Sequence, residues 1–397
     1  MTLTNFRRLD GDAESGGHYL GFNRPAVVGR ELHYVASTIT HSNISGGGMY
    51  TQACEAFIEK EFDVGSALLV TSCTSALEMA AMLCDLDVGD EVIMPSFTFV
   101  STAEAVVRAG ATPVFVDIRP DTLNLDEARL EQAITSRTKA IWPIHYAGVA
   151  AEMNVIMDIA RANDLLVVED AAQGVGATYD GRALGSLAHL GTYSFHETKN
   201  FSCGEGGALC VNEPRLVERA EIIRDKGTNR KQFQRGTADK YTWVDHGSSY
   251  VLSEILAAFL YGQLEQTDLL SSHRETLWNR YDEILRASLE NAGVSVPTVP
   301  PGRTHNHHIY YLVTENRHQR DALIAWLAAD EIQAVFHYVP LHSSPMGIKV
   351  GRAEGSMVNT DVAGDCLVRL PLHHELTVEQ VDRIAEAVIA FYRTAPA

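Results

Sequence analysis

The chain has 397 residues, of which 46% are hydrophobic and 21% charged, and a formal net charge of -19. That length exceeds one usual core and predicts two domains, and the composition excludes a disordered chain. The acidic balance disfavours nucleic acid as a partner and requires a local excess of positive charge wherever an anionic ligand binds.

The six cysteines (Cys54, Cys73, Cys84, Cys203, Cys210 and Cys366) form no CxxC pair, so reduced thiols in a cytoplasmic protein are expected. No apolar run reaches membrane-spanning length and there is no signal-peptide pattern, so no membrane association is expected. Residues 1–18 lack apolar periodicity and predict a mobile extension, with order starting near Tyr19. A helix is predicted over 30–40, a glycine-rich loop at 45–48 and a second helix over 50–62.

The short apolar run Ala67–Val70 predicts a buried strand that runs into Thr71-Ser72-Cys73-Thr74-Ser75 and a helix over 76–86. Ser75 and Glu78 have the spacing of a capping box, which accounts for the hydroxyls as a plain helix cap. The free N–H groups of a helix start, with hydroxyl donors beside them, also suit a phosphate, and the two readings are compatible. Next come strands at 91–95 and 112–117 around a helix ending near Ala109, then a helix over 126–134. A strand over 139–143 is followed by the loop His145-Tyr146-Ala147-Gly148, and a helix over 153–163 leads to an apolar strand that ends in Asp170. Strands alternating with helices at this spacing predict an α/β fold with a mostly parallel sheet covered on both faces, and ligands outside the carboxyl ends of the strands.

Lys199 lies between the apolar stretch Tyr193-Ser194-Phe195 and the glycines Gly204, Gly206 and Gly207. An aspartate at a strand end and a lysine on a later loop ordinarily make an ion pair. They are also the two groups pyridoxal phosphate requires, an amine for a Schiff base and a carboxylate to hold the ring nitrogen protonated. The hydroxyl cluster, the aromatic loop, the His145 loop, Asp170 and Lys199 mostly follow predicted strands, which gathers them into one site. Beyond a strand over 208–211 and a helix over 216–224, Lys226, Arg230 and Lys231 make a basic loop, either solvated or a clamp for a diphosphate. A helix over 253–266 and a long one over 269–289 lead into strand 308–313, helix 321–330, strand 333–336 and a last helix over 378–392. The large domain is expected over 19–268 and the small C-terminal α/β domain over 269–397. His305, His307 and His308 have no second cluster at ligand spacing, so no metal is expected.

Val168-Glu169-Asp170-Ala171-Ala172-Gln173, then Ser194-Phe195-His196-x-x-Lys199 and Gly204-Glu205-Gly206-Gly207, resemble the signature of the DegT/DnrJ/EryC1/StrS nucleotide-sugar aminotransferases. The resemblance covers nearly the whole chain from Tyr19 and implies the aspartate aminotransferase fold, PLP-dependent fold type I. Segments such as Pro95-Ser96-Phe97-Thr98-Phe99, Lys226-Gly227-Thr228-Asn229-Arg230 and Phe336-His337-Tyr338 are most similar to the dTDP-4-amino-4,6-dideoxygalactose transaminases. By that resemblance Lys199 carries pyridoxal 5'-phosphate as a Schiff base and Asp170 pairs with the ring nitrogen. Gln173 bonds the ring hydroxyl, Phe99 stacks on the ring, and Thr74, Ser75 and Ser194 hold the phosphate. His145, Lys226, Arg230, His337 and Tyr338 are the substrate-binding candidates. Ser249 stands where many members have an asparagine that reaches the partner subunit's phosphate, a departure that puts this contact in question.

The implied reaction moves the amino group of L-glutamate onto a dTDP-4-keto-6-deoxyhexose through pyridoxamine 5'-phosphate, releasing 2-oxoglutarate, in a cytoplasmic homodimer with shared sites. The alternatives are transfer to position 3 of a dTDP-3-keto sugar, a sugar dehydratase (disfavoured because that class replaces the lysine with histidine), and a non-catalytic sensor or regulator that keeps the fold.

Overall fold

The computed structural model describes residues 19–41 and 44–394. The expected extension over 1–18 lies outside them. The central sheet has eight strands in the order Ala67–Val70, Gly207–Val211, Leu190–Ser194, Leu166–Asp170, Thr138–Ile141, Glu91–Pro95, Thr112–Val116 and Arg352–Ala353. Gly207–Val211 runs antiparallel to both its neighbours, and the other pairings are parallel.

Successive residues of a strand point to opposite faces, and here both faces are apolar. Leu69, Ile93, Ile141 and Val167 enter one core, while Leu68, Val92, Met94, Ala140 and Val168 enter the core on the other side. Helices cover each face, among them Cys73–Leu83 on one side and Met153–Ala162 on the other. The parallel strands end on one edge of the sheet. The segments after Val70, Pro95, Ile141, Asp170 and Ser194 therefore meet there, as does Gly207, where the antiparallel strand begins. A Cβ on Gly207 would lie 2.4 Å from the Cys73 nitrogen and the Ser72 carbonyl carbon. Only glycine lets the strand pack so closely against this helix start.

A further apolar core, around Leu277, Trp278, Tyr281, Leu285, Leu323 and Val388, is built mainly from the C-terminal third. Its elements are the helix Thr267–Leu289, the antiparallel pair Tyr310–Val313 and Leu367–Leu370, and the helices Arg317–Ala329 and Val378–Thr394. Two segments cross the expected boundary at 268. Leu20 joins this C-terminal core and bridges to Ile332, and Arg352–Ala353 returns to extend the central sheet beside Thr112–Val116.

Two expected elements take other forms. The strand over 333–336 is reduced to isolated bridges, Ile332 with Leu20 and Val335 with Arg369 on the remaining edge of Leu367–Leu370. The helix over 126–134 is a 3-10 turn, Glu127–Arg129, followed by Leu130–Ala133. The Asp126 side chain caps the turn by accepting from the Ala128 N–H. Among the described residues no helix is long and apolar enough to cross a membrane.

Candidate active site

A cavity of about 590 Å³ opens at the carboxyl edge of the sheet, between it and the C-terminal part. Asp170, Gln173, Ser194, Lys199, Thr74, Phe99, His337 and Tyr338 all line it, so eight of the residues singled out in the sequence meet in one place.

Asp170 is 5% exposed at the end of its strand. Its Oδ2 accepts from Thr102 Oγ1 at 2.7 Å and its Oδ1 from the Ala172 N–H at 3.1 Å. Both bonds fix the orientation of the carboxylate. Lys199 is half-buried, and burial lowers its amine pKa from the ordinary lysine value; Cys73 and Asp170 oppose the shift, while Arg369 adds slightly to it. A lysine displaced this way offers a neutral amine more readily. The Cys73 thiol beside it is pushed up to about 12 by burial and stays protonated.

Gln173 is held at both ends of its amide. Oε1 accepts from the Ala147 N–H and Nε2 donates to the Tyr338 hydroxyl, each at 2.7 Å, and among the described residues the second Nε2 hydrogen has no acceptor. The Tyr146 hydroxyl hydrogen-bonds His337 Nδ1 at 2.7 Å, and the His337 and Tyr338 rings stack at 3.6 Å. Burial holds the His337 pKa well below the usual histidine range, so the ring is neutral. Phe99, at the start of the helix Val100–Arg108, is 58% exposed and open to the cavity.

At the phosphate candidates the sequence reading needs correction. The helix start is Cys73, and its cap is Ser72, whose Oγ accepts from the Ser75 N–H at 3.0 Å. Ser75 is therefore not the cap, and Glu78 bonds the Tyr250 hydroxyl and pairs with Arg108 instead. The Ser75 hydroxyl is taken up by Thr71 and Ser72, and the cavity is lined by Ser72, Cys73 and Thr74. Thr74 Oγ1 meets Ser101 Oγ at 2.8 Å.

His145 is also corrected. It is fully buried, outside the cavity lining, with Nε2 on Glu169 Oε2 at 2.9 Å and Nδ1 accepting from the Ala151 N–H. It braces the sheet and does not face a substrate in this chain's cavity. Lys226, Arg230 and Ser249 also lie away from that cavity and are exposed. Lys226 pairs with Asp225 at 2.8 Å, Arg230 lies 3.8 Å from the same carboxylate, and Arg230 opens a short helix, Arg230–Gln234.

Several cavity residues are not among those the sequence singled out. Thr102, which orients Asp170, lies one helical turn after Thr98 and bonds it at 3.1 Å. His308, on the cavity wall, bonds Asn200 Oδ1 through Nδ1. Arg369 interrupts the apolar run Leu367-Val368-Arg369-Leu370, which was the available signal.

The residues fit pyridoxal phosphate: a displaced lysine, a doubly hydrogen-bonded carboxylate and a hydroxyl-lined helix start share one cavity. Among the described residues no group of three or more His, Cys, Asp or Glu is placed to hold a metal.

Residues 26–389 match the DegT/DnrJ/EryC1/StrS aminotransferase family. The GDP-perosamine synthase of Caulobacter vibrioides is 34% identical, over 92% of this chain and 96% of that protein. DesV of S. venezuelae, solved in complex with a ketimine intermediate, superposes with a TM-score of 0.84 at 30% identity, covering 92% of this chain and 95% of that one. The PLP-form of Spr1654 from Streptococcus pneumoniae gives a TM-score of 0.87 at 25% identity, over 96% of this chain and all of that one. The chain belongs to the DegT/DnrJ/EryC1/StrS aminotransferases, a pyridoxal-phosphate-dependent family.

Proposed function

We propose that this family member transfers the amino group of L-glutamate to C4 of a dTDP-4-keto-6-deoxyhexose. The observation that carries the reading is the meeting of Lys199, Asp170, His337 and Tyr338 around one cavity. The similarity to a GDP-perosamine synthase supports a nucleotide sugar as acceptor, and the 95–99, 226–230 and 336–338 segments favour the dTDP-sugar subgroup.

Pyridoxal phosphate bound here supplies a ring that accepts the electron pair left when the donor loses its α-proton. Lys199 would hold it covalently, Asp170 at its ring nitrogen, Gln173 at its ring hydroxyl, Phe99 against its face, and Thr74, Ser72 and Ser194 at its phosphate. Lys199 Nζ, once free, takes a proton from the donor's α-carbon and, in the second half-reaction, delivers one to C4 of the sugar; its lowered pKa favours the neutral amine that starts this. Asp170, oriented by Thr102 and the Ala172 N–H, would present its carboxylate to the ring nitrogen. His337 is neutral, and in the tautomer whose Nδ1 accepts from Tyr146 its Nε2–H is a donor for a sugar oxygen.

Lys226, Arg230 and Ser249 lie outside this chain's cavity, which supports a homodimer in which each subunit lends them to its partner's site. The test is incubation of the holoenzyme with dTDP-4-keto-6-deoxyglucose and L-glutamate, followed by NMR of the product. An amine at C4 is the expected result, with the H3–H4 coupling reporting its orientation: small for axial, large for equatorial. Amination only of a 3-keto sugar would overturn the C4 assignment.

A further inference from the structure

The segment Asn306-His307-His308, just before the strand Tyr310–Val313, is held on one side and grips on the other. Arg274 donates to the His307 and His308 carbonyls, and Trp278 Nε1 donates to the Ile309 carbonyl at 3.1 Å. These bonds hold His307 in the left-handed region (φ 54°), where a residue with a side chain stays only if its surroundings keep it there. The side chains on either side of it reach the loops that carry Gln173 and Lys199. Asn306 Nδ2 donates to the Gln173 and Val175 carbonyls, each at 2.8 Å. His308 Nδ1 meets Oδ1 of Asn200, the residue after Lys199, at 2.8 Å, and Asn200 Nδ2 donates to the Asn306 carbonyl at 2.7 Å. A carbonyl only accepts, so the Asn200 amide nitrogen faces Asn306 and its oxygen faces His308, which makes Nδ1 the protonated nitrogen of His308. Burial, with the charges of Lys199, Arg274 and Arg369 adding to it, holds the His308 pKa well below the usual histidine range, so the ring is neutral.

We propose that His308 is a positioning residue for the reaction, acting through Asn200 to fix the backbone from which Lys199 reaches the cofactor. The turn that carries Lys199 is closed by the bond from its own N–H to the His196 carbonyl at 2.9 Å, and upstream the Glu197 N–H anchors it to the Gly204 carbonyl at 2.9 Å. Downstream, the Asn200 amide ties it to the 306–308 segment. A lysine side chain is a flexible four-carbon stem, so where its amine can reach is set by the backbone beneath it. Lys199, Asn200, Asn306 and His308 line a narrow gap of about 10 Å³, room for one water at most, so no bulkier group can take over the lost bond. Through Asn306 the same segment holds the Gln173 loop, and one piece of the C-terminal part thereby sets two cavity loops against each other. A neutral imidazole suits this task, since it donates a hydrogen bond without placing a further cation near Lys199.

The proposal rests on Lys199 as the cofactor-bearing lysine, and the test separates the two. Asparagine at 308 keeps an N–H donor near the place of Nδ1, whereas glutamine carries its amide to the place of Nε2. H308N, H308Q, N200A and the double variant H308Q/N200A are compared with wild type in both half-reactions. Attachment of pyridoxal phosphate to the apo-protein is followed by absorbance with no amino acid or sugar present, and borohydride reduction maps the labelled lysine. The expected result is attachment and kcat of both half-reactions about 100-fold slower in H308Q, the cost of misplacing a reacting group by roughly 1 Å. H308N should stay within about threefold of wild type, and KM for glutamate within about threefold in both variants. The double variant should be no slower than the slower single one, because both substitutions break the same bond. Losses that multiply in the double variant would overturn the proposal, as would a loss confined to one half-reaction. So would an H308N as slow as H308Q, which is what damage to the fold alone would give. Wild-type enzyme labelled at a lysine other than Lys199 would overturn the lysine assignment and the proposal together. Labelling at Lys199 with H308Q unaltered would sink the proposal alone.

Discussion

Glu169 and Asp170 are adjacent carboxylates on one strand, and the pleat sends them to opposite faces. Glu169 shares its side with Val167 and is saturated: it accepts from the backbone N–H groups of Gly185, Leu187 and Ala188 and meets His145 Nε2. Asp170 shares its side with Val168 and keeps one edge toward the cavity, with Thr102 and Ala172 as its donors among the described residues. The first arrangement is a buried network that holds the loop over 185–188 to the sheet. The second is a charge held open for something else. Two carboxylates one residue apart thus divide structure from chemistry, and the division lies in what each is allowed to leave unpaired.

The comparison can be strained from its catalytic side first. Lys199→Ala should lower turnover by ~10⁴-fold or more, with product formation as the readout, since both the covalent anchor and the proton carrier are lost. Asp170→Asn should cost about 10²–10³-fold in kcat at unchanged thermal stability. It should also move a pH midpoint. Asp170 favours the charged form of Lys199, so its removal lowers the lysine pKa further, and cofactor attachment to the apo-protein should then begin at lower pH than in wild type. A midpoint that rises instead would break the electrostatic account.

Glu169→Gln is the structural counterpart. It should cost roughly 3 kcal/mol in denaturant unfolding, because three N–H donors lose a charged acceptor, yet kcat of the folded fraction should stay within about threefold. A variant that is stable but inactive would erase the distinction. The smallest effect is expected at Ser75→Ala, at most ~1 kcal/mol and less loss of cofactor affinity than Thr74→Ala, since the Ser75 hydroxyl is occupied by Thr71 and Ser72.

The strand and helix pattern to Val211 was legible because parallel strands buried on both faces give short apolar runs separated by amphipathic helices. That Lys199 and Asp170 share one cavity was legible through the chemistry their pairing permits. His145 was misplaced for a physical reason: a loop after a strand carboxyl end can turn its side chain inward as well as outward, and only the Glu169 carboxylate beneath it decides which. The reverse holds for Arg369, a charge inside an apolar strand whose meaning depends on a cavity formed by chain segments far from it in sequence. The missed bond from Thr102 to Asp170 likewise spans two separate segments and leaves no periodic trace.

The two-residue strand Arg352–Ala353 has a consequence for how the molecule is made. It closes the outer edge of Thr112–Val116, yet more than half of the chain separates the two in sequence. On the ribosome that edge, with its apolar Val114, Phe115 and Val116, therefore stays open until synthesis is nearly complete. During this interval it is a template for pairing with other nascent chains, and two late residues remove it.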